Sequence, residues 1–324
     1  MTILLTGAAG FIGANTTKAL LDRGERVIGV DNLNEYYTPQ LKRYRLASIT
    51  SNKNFTFHEL DICDRDALKN IARAHNVKQI VHLAAQAGVR YSIEDPYAYE
   101  HSNLNGHLCV LEVARALNVE HLVYASSSSV YGANTKTPFA EADVTDAPVS
   151  LYGASKKANE LMSSSYSRLY QLPQTGLRFF TVYGPAGRPD MAYWIFTEKM
   201  LAGKPIDVFN HGKMGRDFTY IDDIVAGILA ALDHPPSNEH SHHRVFNLGN
   251  DQPEELMTLI ELLEQSFGIT VEKNYCDMQN GDVVRTWADI SLARQILGYA
   301  PKTSLADGVS MYAKWRKSLD KPFI

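Results

Sequence analysis

The segment "LYGASKKANE" sets Tyr152 four positions before Lys156. On a helix, positions four apart share a face. An ammonium at Lys156 then stabilises a phenolate at Tyr152, and an oxidised nicotinamide nearby adds further positive charge. Both effects are expected to lower the tyrosine pKa from its reference near ~10. That makes Tyr152 a base for an alcohol or sugar hydroxyl, and Lys156 can also hold a nicotinamide ribose. Upstream, "SSSSVYG" (Ser126 to Gly132) follows the apolar run "HLVYA" with four hydroxyls and no acid. Either these serines form a turn of small residues or one of them is set for chemistry.

A nicotinamide is expected because "TGAAGFIG" puts Gly7, Gly10 and Gly13 between an apolar strand and a helix opened by Phe11 and Ile12. Glycine allows the tight turn and lets backbone N–H groups approach a pyrophosphate, with the helix N-terminus adding partial positive charge. Asp31, followed by Asn32, ends the next strand 18 positions after Gly13. A carboxylate there accepts hydrogen bonds from both hydroxyls of an adenosine ribose and repels a 2′-phosphate, so NAD is expected rather than NADP. "LDICD" brings Asp61 and Ile62 to another strand end, suited to adenine. "HLAAQAG" supplies Leu83, Ala84, Ala85 and Gln86, whose small members let a cofactor lie close to the backbone. The alternative for the glycines is a turn that serves only helix packing.

The elements that would position these groups alternate. Strands are expected at Thr2–Thr6, "RVIGVD", "FTFHELD", "KQIVHLAA", "HLVYASS" and "TGLRFFTVYG", with helical stretches at 11–24, 64–75, 98–117 and 152–171. This predicts an α/β fold, a Rossmann-like doubly wound parallel sheet, with ligands beyond the carboxyl ends of its strands. After Gly184 the texture changes, and "GPAGRPDMAY" reads as a loop. Residues 1–184 are expected to form the dinucleotide-binding domain, with later return segments, and 185–324 mainly a smaller substrate lobe. "DHPPSNEHSHHR" reads as an exposed connection, so His240, His242 and His243 are taken as solvated rather than metal-binding.

Composition sets limits. The 324 residues are 45% hydrophobic and 21% charged with net charge −4, which fits a globular protein and gives no basic balance for nucleic acid or a membrane surface. No apolar run approaches the ~20 residues of a membrane span. Cys63, Cys109 and Cys276 are odd in number and far apart, which suggests reduced thiols in the cytoplasm and no zinc site or disulfide framework.

Together "TGAAGFIG", "SSSSVYG", "YGASK" and "LRFFTVYGP" resemble the extended short-chain dehydrogenase/reductase superfamily over nearly the whole chain. "VDNLNEYYTPQLKRYRL", "QAGVRYS", "VYGPAGRPDMA" and "GRDFTYIDDI" are closer to UDP-glucuronate 4-epimerases. The resemblance implies that Ser127, five residues before Gly132, shares catalysis with Tyr152 and Lys156. Related dehydratases carry Asp and Glu at the next two positions, and related decarboxylases carry Glu at the second. Here Ser128 and Ser129 stand there. Neither is a general acid or base near pH 7, and either can hydrogen-bond a carboxylate. Ser126 is left to packing. Thr181, beside Phe180, replaces an Asn common in UDP-galactose 4-epimerases and joins the serines around the sugar acid.

The same resemblance assigns Arg188 and Arg90 to the sugar acid or diphosphate, with surface salt bridges as the alternative. Arg216 and Arg285 are implied at the diphosphate, Val208 and Phe209 around uracil, and Asp282 at the uridine ribose. Gln279 stands where many relatives have Arg. Asn103 lies near cofactor and sugar or serves a strand end. The implied reaction is reversible C4 epimerisation of UDP-glucuronate through a 4-keto sugar, a β-keto acid that must be held so that its carboxylate is not lost. A neutral-hexose epimerase, a decarboxylase and a non-catalytic NAD-sensing protein are the alternatives. Helices 98–117 and 152–171 are implied to build a four-helix homodimer interface.

Overall fold

In each early strand, consecutive apolar residues bury on opposite faces, as the period of two requires. The computed structural model describes residues 1–236, 242–279, 281–319 and 323. Strand β1 (Thr2–Thr6) sends Ile3 and Leu5 to one side and Leu4 to the other. β2 (Arg26–Asp31) splits Val27 from Ile28 and Val30 in the same way. With β3 (Phe55–Glu59), β4 (Gln79–His82), β5 (His121–Ser127), β6 (Gln174–Phe179) and β10 (His243–Leu248), they form a seven-stranded sheet. Its order is β10-β6-β5-β4-β1-β2-β3, and every pairing is parallel. Apolar burial on both faces explains why these strands read as continuous hydrophobic runs.

Helices cover both faces. α1 (Phe11–Asp22) and α9 (Ile221–Asp233) lie together on one, and α3 (Arg65–Ala74), α6 (Gly106–Leu117) and α7 (Leu151–Tyr170) on the other. α2 (Pro39–Ala47) packs beside α1, and two single turns, α4 (Tyr91–Glu94) and α5 (Pro96–Tyr99), lead toward α6. The chain leaves β3 and returns on the far side of β1 as β4, so the sheet has its switch point between β1 and β4. That is where such sheets open a crevice at their carboxyl edge.

A second lobe stands over this edge. β7 (Thr181–Tyr183) and β11 (Pro253–Glu255) flank β9 (Gly215–Tyr220), and β8 (Ile206–Val208) pairs with β12 (Lys273–Tyr275). α8 (Ala192–Leu201), α10 (Leu256–Phe267) and α12 (Leu305–Lys317) pack around them, while α11 (Ser291–Leu297) contacts β10 and α9. Thus β10 and α9 carry the chain back to the large sheet.

Three expectations change. "TGLRFFTVYG" is two strands in different sheets: the chain leaves the large sheet at Phe180, whose N–H donates to Leu248 at 3.2 Å. The 98–117 stretch is interrupted by a π-helical segment, Glu100–Asn105, before α6. The histidine-rich connection ends earlier than expected, because His243 opens β10 and its Nε2 meets the Tyr124 hydroxyl at 2.8 Å. His240 lies outside the described residues. α2 and the small sheets were not foreseen. Among the described residues, no helix is long and apolar enough to cross a membrane.

Candidate active site

β1 ends in a turn that leaves no room for a Cβ at Gly7 or Gly13. Gly7 has φ +73°, and a Cβ there would lie 2.7 Å from the Ala84 nitrogen. At Gly13 a Cβ would lie 1.9 Å from the Gly7 carbonyl oxygen. α1 starts behind Gly10 with no side-chain cap and no acid in its first turn. Its leading N–H groups and positive dipole end therefore suit an anion. Asp31 closes β2 and accepts the Ala9 N–H at 3.0 Å and the Leu33 N–H at 2.9 Å. Asn32 donates to Asp61 at 2.9 Å. Burial opposes the Asp61 charge, but the Cys63 N–H and the Asn32 amide outweigh it and hold this carboxyl below its usual range.

One groove joins these parts. It passes Gly7, Gly10–Gly13, Asp31, Asn32, Asp61, Ile62 and Leu83–Gln86, and ends at Ser127, Tyr152 and Lys156. Asn103 sits behind it, fully buried. Its amide grips both the N–H and the carbonyl of Gln86, at 2.8 and 3.0 Å, and the Ser155 hydroxyl at 3.0 Å. Asn34, Tyr36, Tyr37 and Lys42 also line the groove. They come from the loop and helix after β2, within "VDNLNEYYTPQLKRYRL", a stretch whose residues beyond Asn32 have no role legible from type and spacing. Beside the groove, Asp61, Cys63 and His101 bring a carboxylate, a thiol and an imidazole within 4.8 Å of one another.

At the chemical end, Ser150 caps α7 by accepting the Gly153 N–H at 3.0 Å. Tyr152, Lys156 and Glu160 follow at four-residue intervals on the face toward β5. Lys156 donates to the Ala125 carbonyl at 3.0 Å, and burial pushes its ammonium down to about 8. Burial also raises the Tyr152 phenol, and the Ser127 hydroxyl, hydrogen-bonded to it, only partly opposes this. This corrects the expected lowering: among the protein's own groups, desolvation outweighs charge, and the ammonium is turned to a carbonyl. Ser126 is not mere packing. It donates to Glu160 at 2.6 Å, and Glu160 holds Arg178 through two 2.8 Å bonds.

A second cavity opens from the same point. Ser127, Tyr152, Phe180, Arg188 and Met191 belong to both spaces, and Ser128, Ser129, Thr181, Arg216 and Asp282 line only the second. Arg188 is bound to Asp190, which also accepts the Tyr36 hydroxyl at 3.0 Å. Burial opposes the Arg188 charge, and Asp190 outweighs it and holds the guanidinium above its usual value. At the far end Arg90 meets Asp282 at 3.4 Å and stacks over Phe209 at 5.1 Å. Arg216 lies beside both charges, donating to the Val284 carbonyl at 3.1 Å. Val208 is core. Arg285 packs on Gly215 and is bound to Glu255, outside the cavity lining. Met191, Val149 and Thr286 line the second space without having been singled out in the sequence; apolar or single-hydroxyl side chains in loops carry no motif.

Known proteins resemble this chain in sequence and fold. The profile of the "NAD dependent epimerase/dehydratase family" matches residues 3–249. UDP-glucuronate 4-epimerase 4 of Arabidopsis thaliana is 49% identical, over 97% of this chain and 75% of its own. A probable UDP-glucuronate 4-epimerase of Rhizobium meliloti is 45% identical over 97% and 96%. The crystal structure of the Bacillus cereus UDP-glucuronic acid 4-epimerase with UDP-glucuronic acid and NAD superposes with a TM-score of 0.91 at 35% identity, covering 98% of this chain and 99% of that one. A glycine-turned groove that meets a hydroxyl-lined cavity at one tyrosine, and a family match over residues 3–249, lead to one conclusion: this chain belongs to the NAD-dependent epimerase/dehydratase family.

Proposed function

We propose that the chain is an NAD-dependent enzyme that interconverts UDP-glucuronate and UDP-galacturonate by epimerisation at C4. The observation that carries this is the row Ser127–Ser128–Ser129 with Thr181, on a cavity that shares Tyr152 with the dinucleotide groove. The named relatives support the same reaction.

The groove residues fit NAD: Gly7, Gly10 and Gly13 admit a pyrophosphate to the α1 N-terminus, Asp31 takes the ribose hydroxyls, and Asp61 with Ile62 meets adenine. Held there, NAD would supply reversible hydride acceptance for the hydrogen at C4. Tyr152 takes the O4 proton as base and later gives it back. Ser127 hydrogen-bonds O4 and relays that proton. Lys156 holds the nicotinamide ribose and supplies charge beside the phenolate. Between the two transfers the keto sugar turns in the cavity, so both faces of C4 meet the same groups. Ser128, Ser129 and Thr181 bind the carboxylate with neutral donors, which orient it without acid–base chemistry that would favour loss of carbon dioxide. Arg188 serves the sugar acid or diphosphate. Arg216 serves the diphosphate, Phe209 the uracil side and Asp282 the uridine ribose; Arg90, paired with Asp282 and set over Phe209, belongs to that end rather than to the sugar acid, while Arg285 is held by Glu255 outside the cavity and Val208 is core.

Residues 1–184, with the returning β10 and α9, form the cofactor domain, and 185–324 mainly the UDP-sugar lobe. Exposed Leu108 on α6, with Leu161 and Leu169 on α7, supports a homodimer through these two helices. Three free cysteines support a cytoplasmic enzyme. The test is turnover of UDP-glucuronate and UDP-glucose by the purified protein. UDP-galacturonate as the main product supports the reading; preference for UDP-glucose, or release of a UDP-pentose, rejects it.

A further inference from the structure

Arg45 lines neither the groove nor the cavity, yet its guanidinium reaches a loop of each. It projects from α2 and is 4% exposed. Nε donates to the Ala186 carbonyl at 2.8 Å and Nη2 to the Gly187 carbonyl at 2.7 Å. Nη1 donates to the Ala9 carbonyl at 3.1 Å and the Tyr37 hydroxyl at 2.7 Å. None of these hydrogen-bond acceptors is a carboxylate, so the buried charge is not explained as half of an ion pair.

The partners are the informative part. Ala9 belongs to the glycine-rich turn, and its N–H is held by Asp31. Ala186 and Gly187 immediately precede Arg188. Ala186 has φ +52°, a left-handed conformation that is unfavourable for a residue with Cβ. Two bonds from Arg45 hold this stretch in place. A planar guanidinium can address three carbonyls in different directions, which an ammonium on a flexible stem cannot do with the same geometry.

We propose that Arg45 is a positioning residue that sets the Arg188 loop in register with the dinucleotide-binding turn, so that Arg188 stands correctly at the junction of groove and cavity. The inference rests on the epimerase reading and deepens it. Arg45 touches neither cofactor nor sugar; it acts through Arg188.

The test is a double-mutant cycle in NAD-loaded enzyme with Arg45→Lys, Arg188→Met and the pair. Arg45→Lys is expected to lower kcat by about tenfold or more, since small misplacements near a reacting centre are costly. Its NAD content and UDP affinity stay within about twofold of wild type. In the Arg188→Met background, adding Arg45→Lys changes kcat by less than about twofold, because the two act as a unit. Independent, multiplicative losses would overturn the inference, as would wild-type kcat in Arg45→Lys. Arg45→Gln, neutral and with two N–H donors, runs the same cycle if the lysine variant does not fold. A wild-type enzyme inactive on UDP-glucuronate would instead overturn the epimerase reading itself.

Discussion

The Oγ of Ser127 accepts the backbone N–H of Ser129 at 3.1 Å. This bond caps the short 3₁₀ turn Ser128–Tyr131 and fixes where the serine row stands. It uses one acceptor direction of the Ser127 hydroxyl and leaves its proton to face Tyr152 and a sugar oxygen. Ser127→Ala is expected to lower kcat by ~10²–10⁴-fold, the range for a proton-transfer group. Loss of the cap should cost only about 1 kcal/mol of stability. Steady-state kinetics beside denaturant unfolding separate the two effects.

Lys156 gives a pH prediction with a definite sign. Burial lowers its folded pKa to about 8, while the unfolded chain titrates at its ordinary value of 10.5. Between these values the unfolded chain binds more protons, so this group makes the fold more stable as pH rises through the window. Below it, the buried charge is a full cost. Lys156→Met is therefore expected to be more stable than wild type at pH 7, by about 2 kcal/mol after the unpaired Ala125 carbonyl is counted. The gap closes by pH 10, and turnover is lost at both. Denaturant unfolding at the two pH values checks the sign.

The carboxylate cradle predicts a change in selectivity. Removing the hydroxyls of Ser128 and Thr181 together, as Ser128→Ala/Thr181→Ala, leaves the UDP contacts untouched. The ratio of kcat/KM for UDP-glucuronate over UDP-glucose is expected to fall roughly 10²–10⁴-fold, since each of the two lost bonds to a charged group is worth about 1.5–3 kcal/mol. An unchanged ratio would remove these residues from acid recognition.

Glu160 predicts stability rather than specificity. Its carboxylate and the Arg178 guanidinium are 6% and 4% exposed and bonded at two points. Glu160→Ala strands a buried guanidinium and is expected to cost about 3–5 kcal/mol. Glu160→Met/Arg178→Met should recover much of that loss. Chemical unfolding of the three proteins tests it.

Much of this site is readable in the sequence, for a physical reason. The glycine turn, Asp31 and the Tyr152–Lys156 pair depend on local geometry, so residue type and spacing carry them. The parallel sheet is legible because strands buried on both faces leave unbroken apolar runs. What escapes depends on distant segments meeting. β10 hides behind the histidine-rich connection, and the break at Phe180 shows only when β7 joins another sheet. The Ser126–Glu160 bond spans 34 positions and the Arg45–Gly187 bond 142. No spacing rule reaches that far. The raised Tyr152 phenol is not legible there either, because desolvation is a property of the packed interior and leaves no mark in a string of residues.

The central claim is that hydrogen leaves C4 and returns to the same carbon within one site, while a tyrosine handles the O4 proton and neutral hydroxyls hold the acid. The most direct measurement uses UDP-glucuronate carrying deuterium at C4, with products read by NMR and mass spectrometry. The account predicts UDP-galacturonate with the deuterium still on C4 and carbon dioxide release at background. Deuterium washed out to solvent, or a UDP-pentose as the main product, would contradict it.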